Sequence, residues 1–185
     1  MRSHRLRAVA PLPAVDPAER AGQPLQVDDV FRNHVGYVAA IALRLLNNED
    51  ETDDLIQDVF VIAAEGLHRL REPGAVKGWL ASITVRLALK RLRRRRFLRF
   101  FTSSAPEDLH AVATRSGDPE DRLLLREVYA TLDEIPAAQR VAWVLRHLEG
   151  ETVDRVAMLC GCSLATAKRR IADAHDRIRK LVPDG

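Results

Sequence analysis

The 185-residue chain contains only two cysteines, Cys160 and Cys162, which stand two positions apart. A disulfide between such close neighbours would be strained, and no other thiol is available for a disulfide framework. His147 and His175 do not stand at the spacing that would complete a four-ligand zinc site. We therefore expect a protein of a reducing compartment, with no metal centre and no cofactor.

Long apolar runs are also absent. No stretch approaches the roughly 18 uninterrupted apolar residues that cross a bilayer, and prolines break the short apolar run near the N-terminus where a signal peptide would be continuous. The apolar fraction of 46% is nevertheless enough for real hydrophobic cores. These features argue against membrane insertion and predict a globular chain in the cytoplasm.

Strand-like alternation is a third absence, because apolar residues recur at helical intervals from Val27 onward. The predicted fold is all-α, with two small helical domains joined by a flexible linker. The expected ranges are a mobile tail over residues 1–27, a first domain over 28–101, the linker over 102–119 and a second domain over 120–185.

Polar and glycine-containing breaks divide these domains into helices. The expected N-caps are Asp28 or Asp29 for the first helix and Thr52 or Asp53 for the second, and the expected loop residues after the second are Pro73, Gly74 and Gly78. A third helix should run from about residue 79 to 96. In the second domain we expect helices over residues 120–132, 139–148, 152–159 and 163–181.

Charge is very unevenly distributed along the chain. Asp28 to Leu70 hold nine acidic residues against three basic ones, whereas Arg71 to Phe101 hold ten Lys and Arg against one Glu. The formal net charge of +3 hides both blocks. An acidic face beside a basic one predicts contact with two unlike partners, a basic protein surface and a nucleic-acid backbone.

The most specific local motif is GETVDRVAMLCGCSLATAKRRIADAHDRI. A short helix, a turn at Gly161 and a second helix that opens at Ser163 have the spacing of a helix-turn-helix, whose second helix enters the major groove. Leu164, Ala167 and Ile171 can pack back on the domain. The side chains expected to meet bases and phosphates are Thr166, Lys168, Arg169 and Arg170. A helical hairpin with a solvated basic face is the alternative.

Two parts of the chain together resemble one protein family. Val141 to Val182 looks like region 4 of the sigma-70 family of RNA polymerase sigma factors, and Phe31 to Arg99 is similar to region 2. Their order and the short linker resemble the extracytoplasmic-function (ECF) subfamily, which keeps only these two domains. The motifs that carry the resemblance are DDLIQDVF, KGWLASI, LKRLRRR, IPAAQRVAWVLRHLEG and SLATAKRRI.

The resemblance implies a polymerase-binding helix in the first domain. In the family, the helix that matches Asp54 to Phe60 docks on the clamp helices of the RNA polymerase core. The residues expected to face the polymerase are Asp54, Gln57, Asp58 and Val61. Exposed acids beside an apolar side chain suit such a contact, because they combine charge steering with a desolvated anchor. A solvated helix N-terminus, whose acids complement the helix dipole, is the alternative.

The resemblance also implies two contacts with promoter DNA. The helix from Trp79 corresponds to the family's reader of the melted minus-10 element, and the C-terminal helix to its reader of the minus-35 element. The expected minus-10 residues are Trp79, Arg86, Lys90, Arg91, Arg93 and Arg94. Trp79 could instead anchor the core, and the arginine run could instead be a generic nucleic-acid patch or a solvated helix end. An anti-sigma protein is a further expected partner.

The chain departs from the family pattern at two places. Arg86 and Lys90 stand where members commonly carry Asn and Asp, which makes the minus-10 helix more cationic than usual. Ala165, Thr166 and Ala167 stand where Gly-Thr-Val is common, which replaces a flexible residue by a better helix former.

Two other functions remain to be weighed. A stand-alone helix-turn-helix regulator would bind duplex DNA without polymerase, but the acidic helix would then repel the DNA and lack a partner. A metal-dependent nuclease would use the acidic run of Glu49, Asp50, Glu51, Asp53 and Asp54. Those acids cannot all converge on one ion from a helix, and no general base stands beside them, so we expect no enzymatic activity and no catalytic residues.

Overall fold

The computed structural model describes residues 26–70, 72–101 and 119–180. Over these residues the fold is all-α, as the sequence predicted, with seven α-helices and two short 3-10 turns. The expected mobile tail and flexible linker lie almost wholly outside the described residues. Pro119, expected in the linker, instead begins a helix.

Three helices form the first half. They are α1 (Val27–Leu46), α2 (Glu49–Gly66) and α3 (Val76–Phe101), with 3-10 turns at Leu67–Arg69 and Pro73–Ala75 between the last two. The predicted apolar stripes meet in their centre, where Val38, Leu55 and Leu80 are fully buried. The apolar pattern of α2 would also place Ile62 on the inward side, but Ile62 is 38% exposed.

The capping predictions for the first half were wrong. Helix α1 is preceded by Gln26, so Asp28 and Asp29 lie inside its first turn, where their charge complements the helix dipole. The side chain of Asn48, rather than Thr52 or Asp53, caps α2 by accepting a hydrogen bond from the Glu51 N–H at 2.8 Å. Helix α2 therefore begins four residues earlier than a Thr52 cap would allow, and five earlier than an Asp53 cap would allow.

Helix α3 is longer than expected at both ends. It includes Gly78, which the sequence placed in a loop. A Cβ atom at Gly78 would lie 2.9 Å from Nη2 of Arg155 in the second half, so the glycine allows a close approach between the halves instead of breaking the helix.

Four helices form the second half, namely α4 (Pro119–Glu134), α5 (Ala137–His147), α6 (Val153–Leu159) and α7 (Leu164–Arg179). Gly150 and Gly161 have positive φ angles of 70° and 59°, a conformation that L side chains disfavour, and they form the turns before α6 and α7. The predicted order of four helices is thus confirmed.

The two halves lie against each other. Helix α3 contacts α5 and α6, and α1 contacts α5. Buried side chains from both halves, including Leu45 and Val85 in the first and Tyr129 and Val141 in the second, belong to one continuous core. The sequence predicted two domains joined by a linker, but it did not predict that they pack against each other.

Candidate nucleic-acid and protein interfaces

The acidic face lies on the outer side of α2. Asp54, Gln57 and Asp58 are exposed, and the Val61 side chain is 59% exposed, whereas Leu55 and Val59 on the opposite side are fully buried. The arrangement brings all four predicted polymerase-facing residues to one solvent-facing side of one helix. It offers a partner both negative charge and an apolar contact.

An aromatic pair, which the sequence reasoning missed, lies where α1 meets α2. The Phe31 ring meets the Phe60 ring edge-on, with 4.7 Å between centroids, and Phe31 is 43% exposed. The available sequence signal was an aromatic residue directly after the acidic first turn of α1. The pair adds exposed apolar surface next to α2.

The predicted cations of α3 fall into two groups. Arg86, Lys90, Arg93 and Arg94 are exposed, so they can meet a phosphate backbone. Arg91 is half-buried, and its guanidinium donates to the Asp58 carboxylate at 2.5 Å and to the Glu51 carbonyl at 2.6 Å. Arg91 thus links the predicted DNA surface to the predicted polymerase surface.

Arg95 repeats this link one turn further along α3. Its Nη2 donates to Oε2 of Glu51 at 2.7 Å, and both Nη atoms lie within 3.4 Å of the Leu46 carbonyl oxygen. Between α2 and α3 lies an open groove of about 480 Å³. Its walls carry Asp54 and Asp58 on one side and Lys90 and Arg94 on the other, so the two charge blocks face each other across one groove.

Trp79 packs in the way that the core alternative predicted. It is half-buried, and a Cβ atom at Gly66 would lie 2.7 Å from its Cζ2, so the indole lies flush against the backbone of α2. Only a glycine at position 66 leaves room for the ring in this position. The indole therefore helps hold α3 on α2.

Side-chain caps define both helices of the helix-turn-helix. Oγ1 of Thr152 accepts the Arg155 N–H, and Oγ of Ser163 accepts the Thr166 N–H, each at 3.2 Å. The small residues Ala157 and Ala167 are buried between the two helices. Such a cap at Ser163 begins α7 at a defined residue, as a recognition helix requires.

The predicted minus-35 residues occupy the first half of α7. Lys168 and Arg169 are exposed, Arg170 is half-buried, and the Thr166 hydroxyl lies 2.8 Å from that of Ser163. Leu164 is a correction, because it was expected to pack on the domain and is 40% exposed. An apolar side chain in the exposed first turn of α7 is instead available for contact with a thymine methyl group.

Both cysteines and four of the histidines lie among the described residues. In the described residues no group of three or more potential metal ligands comes together. The rings of His147 and His175 stack at 5.3 Å, and His147 also stacks on Trp143 at 4.9 Å. Burial, with the neighbouring His175, lowers the pKa of His147. Burial raises the pKa of the Cys160 thiol to about 11, which leaves it protonated and unreactive near neutral pH.

Arg140, on α5, is a second feature that the sequence reasoning missed. Only 2% of its surface is exposed. It pairs with Asp133, and it donates to the Leu45 carbonyl at 2.9 Å and the Leu46 carbonyl at 3.2 Å, both in the first half of the chain. The apolar run that follows Arg140 signals a buried helix, but it does not identify these partners.

Comparisons with known proteins match both halves. The family model for sigma-70 region 2 matches residues 30–97, and the one for sigma-70 region 4 matches residues 125–177. The chain is 31% identical to the ECF RNA polymerase sigma factor SigE of Mycolicibacterium smegmatis over 82% of its own length, and spans 60% of that protein. It is 30% identical to the ECF RNA polymerase sigma factor SigM of Mycobacterium tuberculosis, over 89% of this chain and 81% of SigM.

Two solved structures share the fold. The sigma factor RpoE of Bartonella quintana, in complex with the anti-sigma factor NepR, superposes with a TM-score of 0.61 at 21% identity, covering 84% of this chain and 95% of RpoE. CnrH, in complex with the cytosolic domain of CnrY, superposes with a TM-score of 0.56 at 22% identity, covering 88% of this chain and 90% of CnrH. Among the described residues, no helix is long and apolar enough to span a membrane.

Proposed function

This chain belongs to the sigma-70 family of RNA polymerase sigma factors, in its ECF subfamily, and we propose that it directs polymerase to promoters through three separate surfaces. The first binds the polymerase core, the second captures the melted minus-10 element, and the third reads the minus-35 element. The chain itself supplies position and strand stabilisation, and the polymerase supplies the chemistry.

The polymerase surface is the outer side of α2. Asp54, Gln57, Asp58 and Val61 present charge and an apolar contact on one side of a helix whose other side is buried. Acids steer the approach of a basic partner, and an exposed valine can be desolvated at the centre of the contact. Phe31 extends the same surface toward α1.

The minus-10 surface is the exposed side of α3. Arg86, Lys90, Arg93 and Arg94 can follow a phosphate backbone, and salt should weaken this contact strongly. The Arg91 ion pair with Asp58 positions this surface directly beside the polymerase surface. Trp79 supports this surface by packing closely against Gly66 of α2.

The minus-35 surface is the N-terminal half of α7. Its first turn is capped by Ser163, and Lys168 and Arg169 point to solvent. A helix that enters the major groove contacts base edges with its N-terminal residues, and on this ground we propose Thr166 and Arg169 as the residues nearest the bases. Arg170 is half-buried and suits a phosphate contact at the edge of the groove.

The remaining expectations follow from this assignment. The relatives are sigma factors, a class that is not in general enzymatic, and we propose no catalytic role for this chain. We propose action in the cytoplasm, where the core polymerase is found. RpoE of Bartonella quintana is solved with an anti-sigma factor, and we propose a protein of that class as a further partner of this chain.

The observation that carries the proposal is the presence of both sigma regions, in chain order, with an exposed acidic helix beside an exposed basic one. Run-off transcription tests it, with core polymerase and this protein on fragments of the source genome that include its own upstream region. We expect defined transcripts that require the protein. Core polymerase alone is the control, and transcripts from no fragment would refute the assignment.

A stand-alone DNA-binding regulator is the second candidate, and the exposed helix-turn-helix is the feature in its favour. A pull-down with core polymerase separates the two functions. We expect the wild-type chain to be retained and an Asp54→Lys variant to be retained less. A chain that binds duplex DNA and never the core would be a regulator of the second kind.

A further inference from the structure

The outer side of α7 carries an acidic residue among its cations. The inner side is defined by Ala167, Ala174 and Ile178, which are buried. With about 3.6 residues per turn, Arg169 and Asp173 lie one turn apart on the opposite side of the helix, and both are exposed. A carboxylate there repels phosphate groups, so Asp173 does not serve the general attraction of α7 to DNA.

A neighbouring helix holds the Asp173 side chain in place. Nε2 of Gln139, in the first turn of α5, donates to Oδ2 of Asp173 at 3.0 Å. Oε1 of the same amide is buried and has no hydrogen-bond partner among the described residues. If the amide were turned round, its oxygen would meet the carboxylate, so the charge of Asp173 fixes this orientation. The carboxylate can still accept further hydrogen bonds, because each of its oxygens has two lone pairs.

Small side chains on the outer side of α7 allow the helix to lie deep in a groove. Ala165 and Ala172 are both exposed, one before Arg169 and one after it. The short side chain of an aspartate needs a close approach of the helix to reach a base edge, and the alanines permit that approach. Ala165 and Asp173 are about 12 Å apart along the helix axis at about 1.5 Å per residue, and the major groove is about 12 Å wide. Asp173 therefore lies within the part of α7 that the groove can hold.

The chemistry of a carboxylate favours one base over the other three. An ionised carboxylate only accepts hydrogen bonds, and cytosine presents its N4 amino group as a donor in the major groove. Guanine and thymine present acceptor oxygens at the corresponding position, which a carboxylate repels. Adenine offers the N6 amino group, but its N7 acceptor lies beside it. Cytosine is therefore the base that an aspartate at this place on the helix fits best.

We propose that Asp173, positioned by Gln139, is a specificity-determining residue that selects cytosine at one position of the minus-35 duplex. This inference rests on the proposed function, because α7 must enter the major groove for Asp173 to meet a base. Lys168 and Arg169 then supply attraction to the DNA, and Asp173 supplies discrimination between sequences. The acid weakens binding to every other sequence, which sharpens the difference between the correct site and the rest.

The test is an in vitro selection from a duplex library randomised over two helical turns. The full-length wild type and the Asp173→Asn variant each select from it, alone and with core polymerase added. We expect one position at which the wild type enriches cytosine and Asp173→Asn enriches adenine, because an asparagine amide pairs with both N6 and N7 of adenine. On two duplexes that differ only there, fluorescence anisotropy should show a preference of about tenfold for cytosine in the wild type, and its reversal in the variant.

Two further variants separate base reading from charge and from packing. Asp176→Asn removes the same charge from an exposed position further along α7, so it should strengthen binding to all duplexes without altering base preference. Gln139→Ala removes the group that positions Asp173, so the preference for cytosine should become smaller while cytosine stays the preferred base. Far-UV circular dichroism checks that each variant keeps the helix content of the wild type.

The outcomes distinguish this inference from the proposed function. If the wild type selects a defined sequence and Asp173→Asn selects the same bases at every position, the role of Asp173 is overturned and the proposed function stands. If Asp173→Asn only strengthens binding as Asp176→Asn does, its effect is one of charge, and base selection is likewise overturned. If the wild type selects no sequence with or without core, the minus-35 surface itself fails, and the role of Asp173 fails with it.

Discussion

Helices α3 and α7 are both basic, but they use their cations differently. On α3, Arg91 and Arg95 are half-buried and bonded to Glu51 and Asp58 of α2, and only part of the basic block is exposed. On α7, Lys168 and Arg169 stand in solvent on a helix that packs through small alanines. The arginines of α3 therefore divide between packing within the molecule and the proposed DNA surface, whereas Lys168 and Arg169 of α7 are exposed and remain available for the proposed DNA contact.

Of the changes predicted here, removal of the Trp79 side chain, which anchors the basic helix α3 on α2, should have the largest effect. Trp79→Ala removes the ring that packs on Gly66, and we expect the free energy of unfolding to fall by about 2–3 kcal/mol because a large aromatic side chain leaves a cavity. Urea unfolding followed by circular dichroism measures it. Trp79→Phe should cost less, and an equal cost for both would show that the indole does not fill this space.

Charge reversal on α2 should separate the polymerase surface from the DNA surfaces. For the Asp54→Lys, Asp58→Lys double variant we expect core affinity to fall about tenfold or more, because like charges then meet the partner. Binding of the full chain to a minus-35 duplex should not decrease. Unchanged core affinity in a folded double variant would contradict the assignment of α2.

The two acids should not behave alike. Asp58 bonds to Arg91, so Asp58→Asn also frees a cation on α3, whereas Asp54→Asn does not alter that pair. We expect only Asp58→Asn to strengthen binding of single-stranded DNA, by about two- to threefold, with a steeper salt dependence as one more phosphate contact becomes available. Fluorescence anisotropy over a salt series measures both quantities, and equal behaviour of the two variants would refute the coupling.

On α7, neutralising an exposed cation should weaken duplex binding without a structural cost. For Arg169→Gln we expect about a three- to tenfold weaker affinity for the minus-35 duplex, and a salt slope smaller by about 1 if the residue contacts a phosphate. An unchanged slope with lost sequence preference would instead identify a base contact. Stability should stay within about 0.5 kcal/mol of wild type because the residue is exposed.

The stacked histidines of the second half should produce the smallest effect, which is a pH dependence of the free energy of unfolding. The pKa of His147 is lower in the folded chain than the ordinary value of 6.5, since burial and the adjacent His175 and Arg146 disfavour its charge. Its contribution to stability is therefore present above about pH 6.5 and lost as the pH falls through the folded pKa. Urea unfolding at pH 7.5 and 5.5 should show a smaller difference for His147→Gln than for wild type.

Features of the fold that depend on a few neighbouring residues could be predicted from the sequence. The helical order, the turn at Gly161 and the outward side of α2 follow from periodicity, a glycine at positive φ and the alternation of charge with buried residues. The caps of the first half were mispredicted because acidic residues lie in the first turn of α1, and acidic residues and Thr52 lie in the first turn of α2. The preceding Asn48 caps α2, and the chain geometry of the Asn47 turn selects it over Thr52.

By itself, the sequence determined an all-α chain with separated acidic and basic blocks and a helix-turn-helix, because period, charge and turn residues act over a few neighbouring positions. Only the tertiary structure decided which cations stay exposed, that Trp79 packs on Gly66, and that Arg140 and Tyr129 close the end of α1. These contacts join residues far apart in the chain, and their energies depend on burial and exact geometry, which no local pattern encodes.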